Sequence, residues 1–121
     1  VRDFVKFAFA YAGINLRFEG AGVDEVGIVD SLDLEKAKAS NVDISHLSLG
    51  QTVVCVDPRY FRPTEVDLLL GDPSKAEQKL GWNREYNLQD LVNDMMASDL
   101  KLMRKDVYLQ EGGYKTMSYF E

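Results

Sequence analysis

The stretch Asp57–Trp82, DPRYFRPTEVDLLLGDPSKAEQKLGW, constrains this chain more than any other. Its second half carries the punctuation of a short capped helix. Asp72 offers a carboxylate to the free backbone N–H groups of a first turn. Pro73 suits the first helical position, where no N–H is needed. Gly81 suits the left-handed residue that closes a helix, with Trp82 turning back toward Ala76 or Glu77. The spacing predicts a helix over Pro73–Leu80, with a structural role and no chemistry.

The first half of the stretch points toward a ligand. Arg62 precedes a proline and is therefore biased toward extended backbone. Pro63 is placed to open a helical turn with Glu65 inside it. A helix N-terminus suits phosphate, and an arginine adds a permanently charged fork that binds phosphate oxygens in pairs. A carboxylate three residues on can accept from two neighbouring hydroxyls, as on a ribose. Arg62 and Glu65 together would then hold a nucleoside diphosphate by its two polar ends. The competing reading is an i, i+3 surface ion pair at a helix start. Spacing alone favours the ion pair, because Arg-x-x-Glu is common.

Around this stretch the hydrophobic pattern predicts an α+β fold, with about three helices and a few short strands. An amphipathic helix is expected over Arg2–Ala12, with Val1, Phe4, Val5, Ala8 and Tyr11 or Ala12 on one stripe and Phe7 and Phe9 widening it. Gly13 is its stop. Leu16–Glu19, Val26–Val29 and Thr52–Val56 read as strands, and Gly20–Gly22 as a turn. Leu32–Gly50 reads as a polar surface excursion in which Leu34–Ala39 could make a helical turn. Asn87 caps a last helix whose stripe runs through Leu88, Leu91, Val92, Met95, Met96, Leu102 and Met103. Tyr86 is placed to staple onto Leu91. Lys101, Arg104 and Lys105 are expected in its last turns, where positive charge suits the helix dipole. The division expected is a domain over 1–106 and a tail over 107–121 rich in aromatics (Tyr114, Tyr119, Phe120).

Composition removes several functions. With 121 residues there is room for one domain. A net charge of −6 argues against a nucleic-acid backbone as partner, though one or two placed arginines can still hold a nucleotide. Cys55 is the only cysteine and His46 the only histidine, so neither a disulfide within the chain nor a cysteine-type metal site is expected. Cys55, in a strand-like run, is expected to be a small buried hydrophobe, and His46 a surface residue. No stretch approaches the roughly 20 apolar residues of a membrane-spanning helix, and no secretory leader is seen. The opening Val1–Val5 enters an apolar pattern at once and without Met, and the chain is expected to be part of a longer protein.

Pro58-Arg59-Tyr60-Phe61-Arg62-Pro63-Thr64-Glu65-Val66-Asp67, followed by Gly71-Asp72-Pro73-Ser74-Lys75-Ala76 and Leu80-Gly81-Trp82, resembles the C-terminal part of the GDP-mannose 4,6-dehydratase family. That family lies within the extended short-chain dehydrogenase/reductases. The Gly71–Trp82 run is shared among nucleotide-sugar epimerases and dehydratases, whereas Pro58–Val66 is narrower. Val1–Val5, Leu16–Gly20 and Gly27–Val29 also look like this family. The resemblance implies a small substrate-binding domain, with Arg62 on the diphosphate and Glu65 on the ribose hydroxyls. The whole enzyme it implies is an NADP-dependent lyase, cytoplasmic and homo-oligomeric. It would convert GDP-mannose to the 4-dehydro-6-deoxy sugar nucleotide used in GDP-fucose and deoxyhexose synthesis. Such an enzyme works with a Gly-rich loop on an N-terminal Rossmann domain, a Tyr-x-x-x-Lys pair, a Ser or Thr, and a Glu. None of the six tyrosines here is followed by Tyr-x-x-x-Lys spacing, and no G-x-G-x-x-G occurs. No catalytic, cofactor-binding or metal-binding residue is therefore expected in this chain, and by itself it should be inactive. The alternatives are the same domain of a UDP- or dTDP-sugar epimerase or dehydratase, or a non-enzymatic interaction domain that retains the fold.

Overall fold

The computed structural model describes residues 1–66 and 69–117. Helix α1, Arg2–Tyr11, forms where the apolar period runs, and its residues from Phe7 to Tyr11 are all partly covered. It ends as expected at Gly13, whose φ of +84° only glycine adopts readily. Gly13 has a second task. Its carbonyl accepts from the Asp33 N–H at 2.7 Å, and a Cβ there would lie 2.3 Å from the Asp33 carbonyl oxygen. The chain can make this close approach only without a side chain.

Three strands follow: β1 Ile14–Glu19, β2 Val26–Leu32 and β3 Thr52–Cys55, in an antiparallel sheet of order β1-β2-β3. Leu16 pairs with Val29, and Phe18 with Gly27, across β1 and β2. Gly27 also pairs with Val54. A Cβ at Gly27 would meet Val54 at 3.0 Å and Phe18 at 3.2 Å, so the glycine makes room for two larger cross-strand neighbours. Val29, at the centre, is fully buried. Arg2 and Lys6 of α1 stand over the Phe18 ring, 5.7 and 5.8 Å from its centroid.

The segment between β2 and β3 is exposed over most of its length, as its polarity suggests, but it sends two residues into the core. Helix α2, Leu34–Ala39, is capped by Asp33, whose carboxylate accepts from the Glu35 and Lys36 N–H groups at 3.1 Å each. Ala37 and Ile44 are buried and join Ala12, Ile14 and Val29 in the core. Val42 and Leu47 pack against that cluster. The apolar residues here are few and spaced without period, so only the tertiary arrangement shows that they point inward.

Helix α3, Ser74–Leu80, starts one residue later than expected. Asp72 accepts from the Ser74 N–H at 3.0 Å, and its carboxyl is held below the usual range first by the Ser74 hydroxyl and then by that N–H. Gly81 closes the helix in the left-handed region, and the Trp82 N–H donates back to the Ala76 carbonyl at 3.4 Å. Helix α4 runs over Leu88–Glu111. Asn87 and Asp90 form a reciprocal capping box, each side chain accepting from the other's backbone N–H at 2.9 and 3.0 Å. Tyr86 and Leu91 stay 70% and 48% exposed, so any staple between them buries little. The helix does not stop near Asp106 but continues to Glu111, ahead of Gly112 and Gly113. Lys101, Arg104 and Lys105 therefore fall inside it, and its last turn has no basic residue. Packing of α4 is against α1, with Val92 wholly buried. Cys55 is exposed rather than buried, because β3 is an edge strand and its last residue faces solvent. Tyr119 and Phe120, and Asp67 of the central stretch, lie outside the described residues.

Candidate functional site

The register Val26↔Cys55 brings the end of β3 beside the start of β2, and so beside the turn that joins β1 to β2. The loop carrying Arg59–Glu65 leaves the sheet at that end. Asp57 opens it with a tight turn in which the Tyr60 N–H donates to the Asp57 carbonyl at 3.0 Å. Asp at the first turn position and Pro58 at the second are the residues such a turn favours. The Asp57 carboxylate also accepts from the Arg59 N–H at 2.9 Å and from the Arg59 guanidinium, at 2.8 Å for Nη2. These contacts hold the Asp57 carboxyl below the ordinary carboxylate range, the guanidinium contributing most, and hold the Arg59 proton more tightly. Arg59 also stands 5.6 Å from the Tyr60 ring centroid. The Asp-Pro-Arg order signalled this brace, but sequence reading left Arg59 without a contact.

Beyond Tyr60 the Phe61 ring lies over Gly22, with Cζ 3.7 Å from the point that a Cβ at Gly22 would occupy. Sequence reading missed this contact between residues 22 and 61, for which no local signal exists. Arg62 and Glu65 then follow on an exposed loop. The helical turn expected to begin at Pro63 does not form. Pro63 and Thr64 make a bend, and Glu65 accepts from the Val66 N–H at 3.3 Å. Val66, 62% exposed, has nothing to bury, so one isolated turn has no packing to offset its nucleation cost. The helix-terminus contribution to phosphate binding is therefore absent. Among the described residues no ion pair or hydrogen bond joins Arg62 to Glu65, so the plain surface ion pair is not formed either. What the loop offers is a guanidinium and a carboxylate, both open to solvent, three residues apart behind a braced turn.

Other surface hollows lie elsewhere. One of about 440 Å³ sits between α1, α2 and α4, lined by residues such as Tyr11, Lys36 and Asn93, and shares no residue with the loop. No group of three or more potential metal ligands occurs among the described residues, and no described helix is long and apolar enough to cross a membrane. A nicotinamide dinucleotide does not fit the described residues. They form an antiparallel sheet with no parallel β-α-β crevice, and the N-termini of α2 and α4 are closed by their own caps.

Arg62 and Glu65 thus stand on an exposed Arg-Pro-Thr-Glu loop at one end of the sheet of a small α+β domain. The family model "GDP-mannose 4,6 dehydratase" matches residues 1–95, and the chain belongs to that family. A GDP-mannose 4,6-dehydratase from Vibrio cholerae is 46% identical over 94% of this chain and 29% of its own length. Those of Caenorhabditis elegans and Homo sapiens are 43% and 38% identical, over 88% and 86% of this chain and 23% of their own lengths. The chain thus spans less than a third of the length of the curated relatives it matches.

Proposed function

We propose that this chain is the substrate-binding part of a GDP-mannose 4,6-dehydratase, in which Arg62 binds the diphosphate of GDP-mannose and Glu65 the ribose hydroxyls. The observation that carries the reading is the Pro58–Glu65 loop. It is braced at Asp57–Arg59, yet presents Arg62 outward with no ion-pair partner among the described residues. A solvated guanidinium held in place is ready to exchange water for phosphate oxygens. Binding the nucleotide half positions the sugar without joining in the reaction, so this chain contributes orientation rather than bond-making. The reacting groups and the NADP that moves the hydride belong to a Rossmann domain outside these residues. The complete enzyme is a cytoplasmic homo-oligomer that supplies the 4-dehydro-6-deoxy intermediate of GDP-fucose and deoxyhexose synthesis.

Two measurements test this. The 121-residue chain alone should give no conversion of GDP-mannose, and turnover would refute the division of labour. In the complete protein, Arg62→Ala should weaken GDP binding roughly thirty-fold, the loss of charge-assisted hydrogen bonds costing about 2 kcal/mol. Unchanged affinity would reduce Arg62 to a surface residue. UDP should compete less well than GDP at the same site.

A further inference from the structure

We propose that Phe61 is a positioning residue, whose ring, seated on the glycine turn at residue 22, fixes where the Arg62 guanidinium stands. This rests on the reading of Arg62 as the diphosphate contact. The loop leaves the sheet from β3, and without a second attachment Arg62 would swing about the turn at Asp57–Tyr60. Phe61 supplies that attachment at the next residue. Its ring edge lies on the open side of Gly22, with Cζ and Cε2 3.7 and 3.9 Å from where a Cβ would sit. The seat itself is firm. Gly22 has φ +61°, and the 3₁₀ turn Gly22–Asp24 is closed by Asp24 N–H to the Ala21 carbonyl at 3.2 Å and Glu25 N–H to the Gly22 carbonyl at 3.3 Å.

The turn is also tied to the rest of the domain. The Arg2 guanidinium pairs with the Glu25 carboxylate, Nε to Oε1 at 2.8 Å, and Arg2 stacks over Phe18 on β1. A continuous path of contacts therefore runs from α1 through Glu25 and the glycine turn to Phe61, the neighbour of Arg62. Phe61 is 40% exposed, so the core does not need it. A large aromatic ring left outside the core and parked on a glycine holds the loop rather than the fold.

The test is a binding cycle in the complete protein with GDP as the probe, read by calorimetry. Phe61→Ala should weaken GDP about tenfold, because the loop must be ordered on binding. In the Arg62→Ala background the same change should alter affinity by less than about twofold, since there is no guanidinium left to position. Phe61→Leu, which still fills the seat, should restore most of the affinity. GDP binding by Phe61→Ala within about twofold of the unsubstituted protein, or an equal loss in the Arg62→Ala background, would overturn the inference while leaving the Arg62 contact standing. If Arg62→Ala itself binds GDP normally, the substrate site has been misplaced and Phe61 has nothing to position.

Discussion

Residues up to Val56 and those beyond it use similar amino acids to different ends. In the first half Ala12, Ile14, Val29, Ala37 and Ile44 are buried in one cluster, and the sheet, α1 and α2 close around them. In the second half Val92 is the only buried hydrophobe among the described residues, while Leu69, Leu70, Leu80, Trp82 and Tyr108 stand exposed. The second half is nonetheless well ordered locally, with Gly81 closing α3 and a full capping box opening α4. Local hydrogen bonds thus define elements there that little beyond the burial of Val92 against α1 secures. The chain exposes 10040 Å², against about 6,600 Å² for a compact monomer of its mass. Arg62 and Glu65 sit just past the boundary, anchored on the packed half and reaching into the open one.

That contrast can be broken, most sharply at Gly13. Gly13→Val should destabilise the 121-residue chain by about 3 kcal/mol or more, combining a left-handed φ with a clash against the Asp33 carbonyl. Denaturant unfolding measures it, and a loss below about 1 kcal/mol would mean that the α1–α2 junction is looser than described. Val92→Ala comes next, at about 2 kcal/mol, by removing the one buried side chain of α4. If it costs nothing, α4 does not dock on α1 in solution. Leu80→Ser should shift stability by no more than about 0.5 kcal/mol, since Leu80 is 81% exposed. A large effect would show that the second half packs more tightly than its exposure indicates.

Legibility followed the range of the forces involved. Helices announced by caps and glycines were readable: Gly13, Gly81 and Asn87 each stand where the residue type requires, Asp72 falls one residue ahead of the cap position that Pro73 takes, and α1 and α3 fall within a residue of their expected bounds. The α+β class followed from the same signals. Errors arose where burial or the lack of it decided the outcome. Ile44 and Ala37 went inward from a polar segment, Cys55 outward from an apolar one, and the turn after Pro63 failed for want of something to pack on.

By itself, then, the sequence determined the local elements and the family, because capping, left-handed glycines and the Pro58–Glu65 run act over a few residues. Tertiary structure alone decided that Gly22 meets Phe61, that Asp33 meets Gly13, and that the Arg62 loop leaves the sheet beside the β1–β2 turn. Each of these joins residues about 20 to 40 positions apart. Such contacts are set by strand register and volume rather than by any property that one residue carries alone.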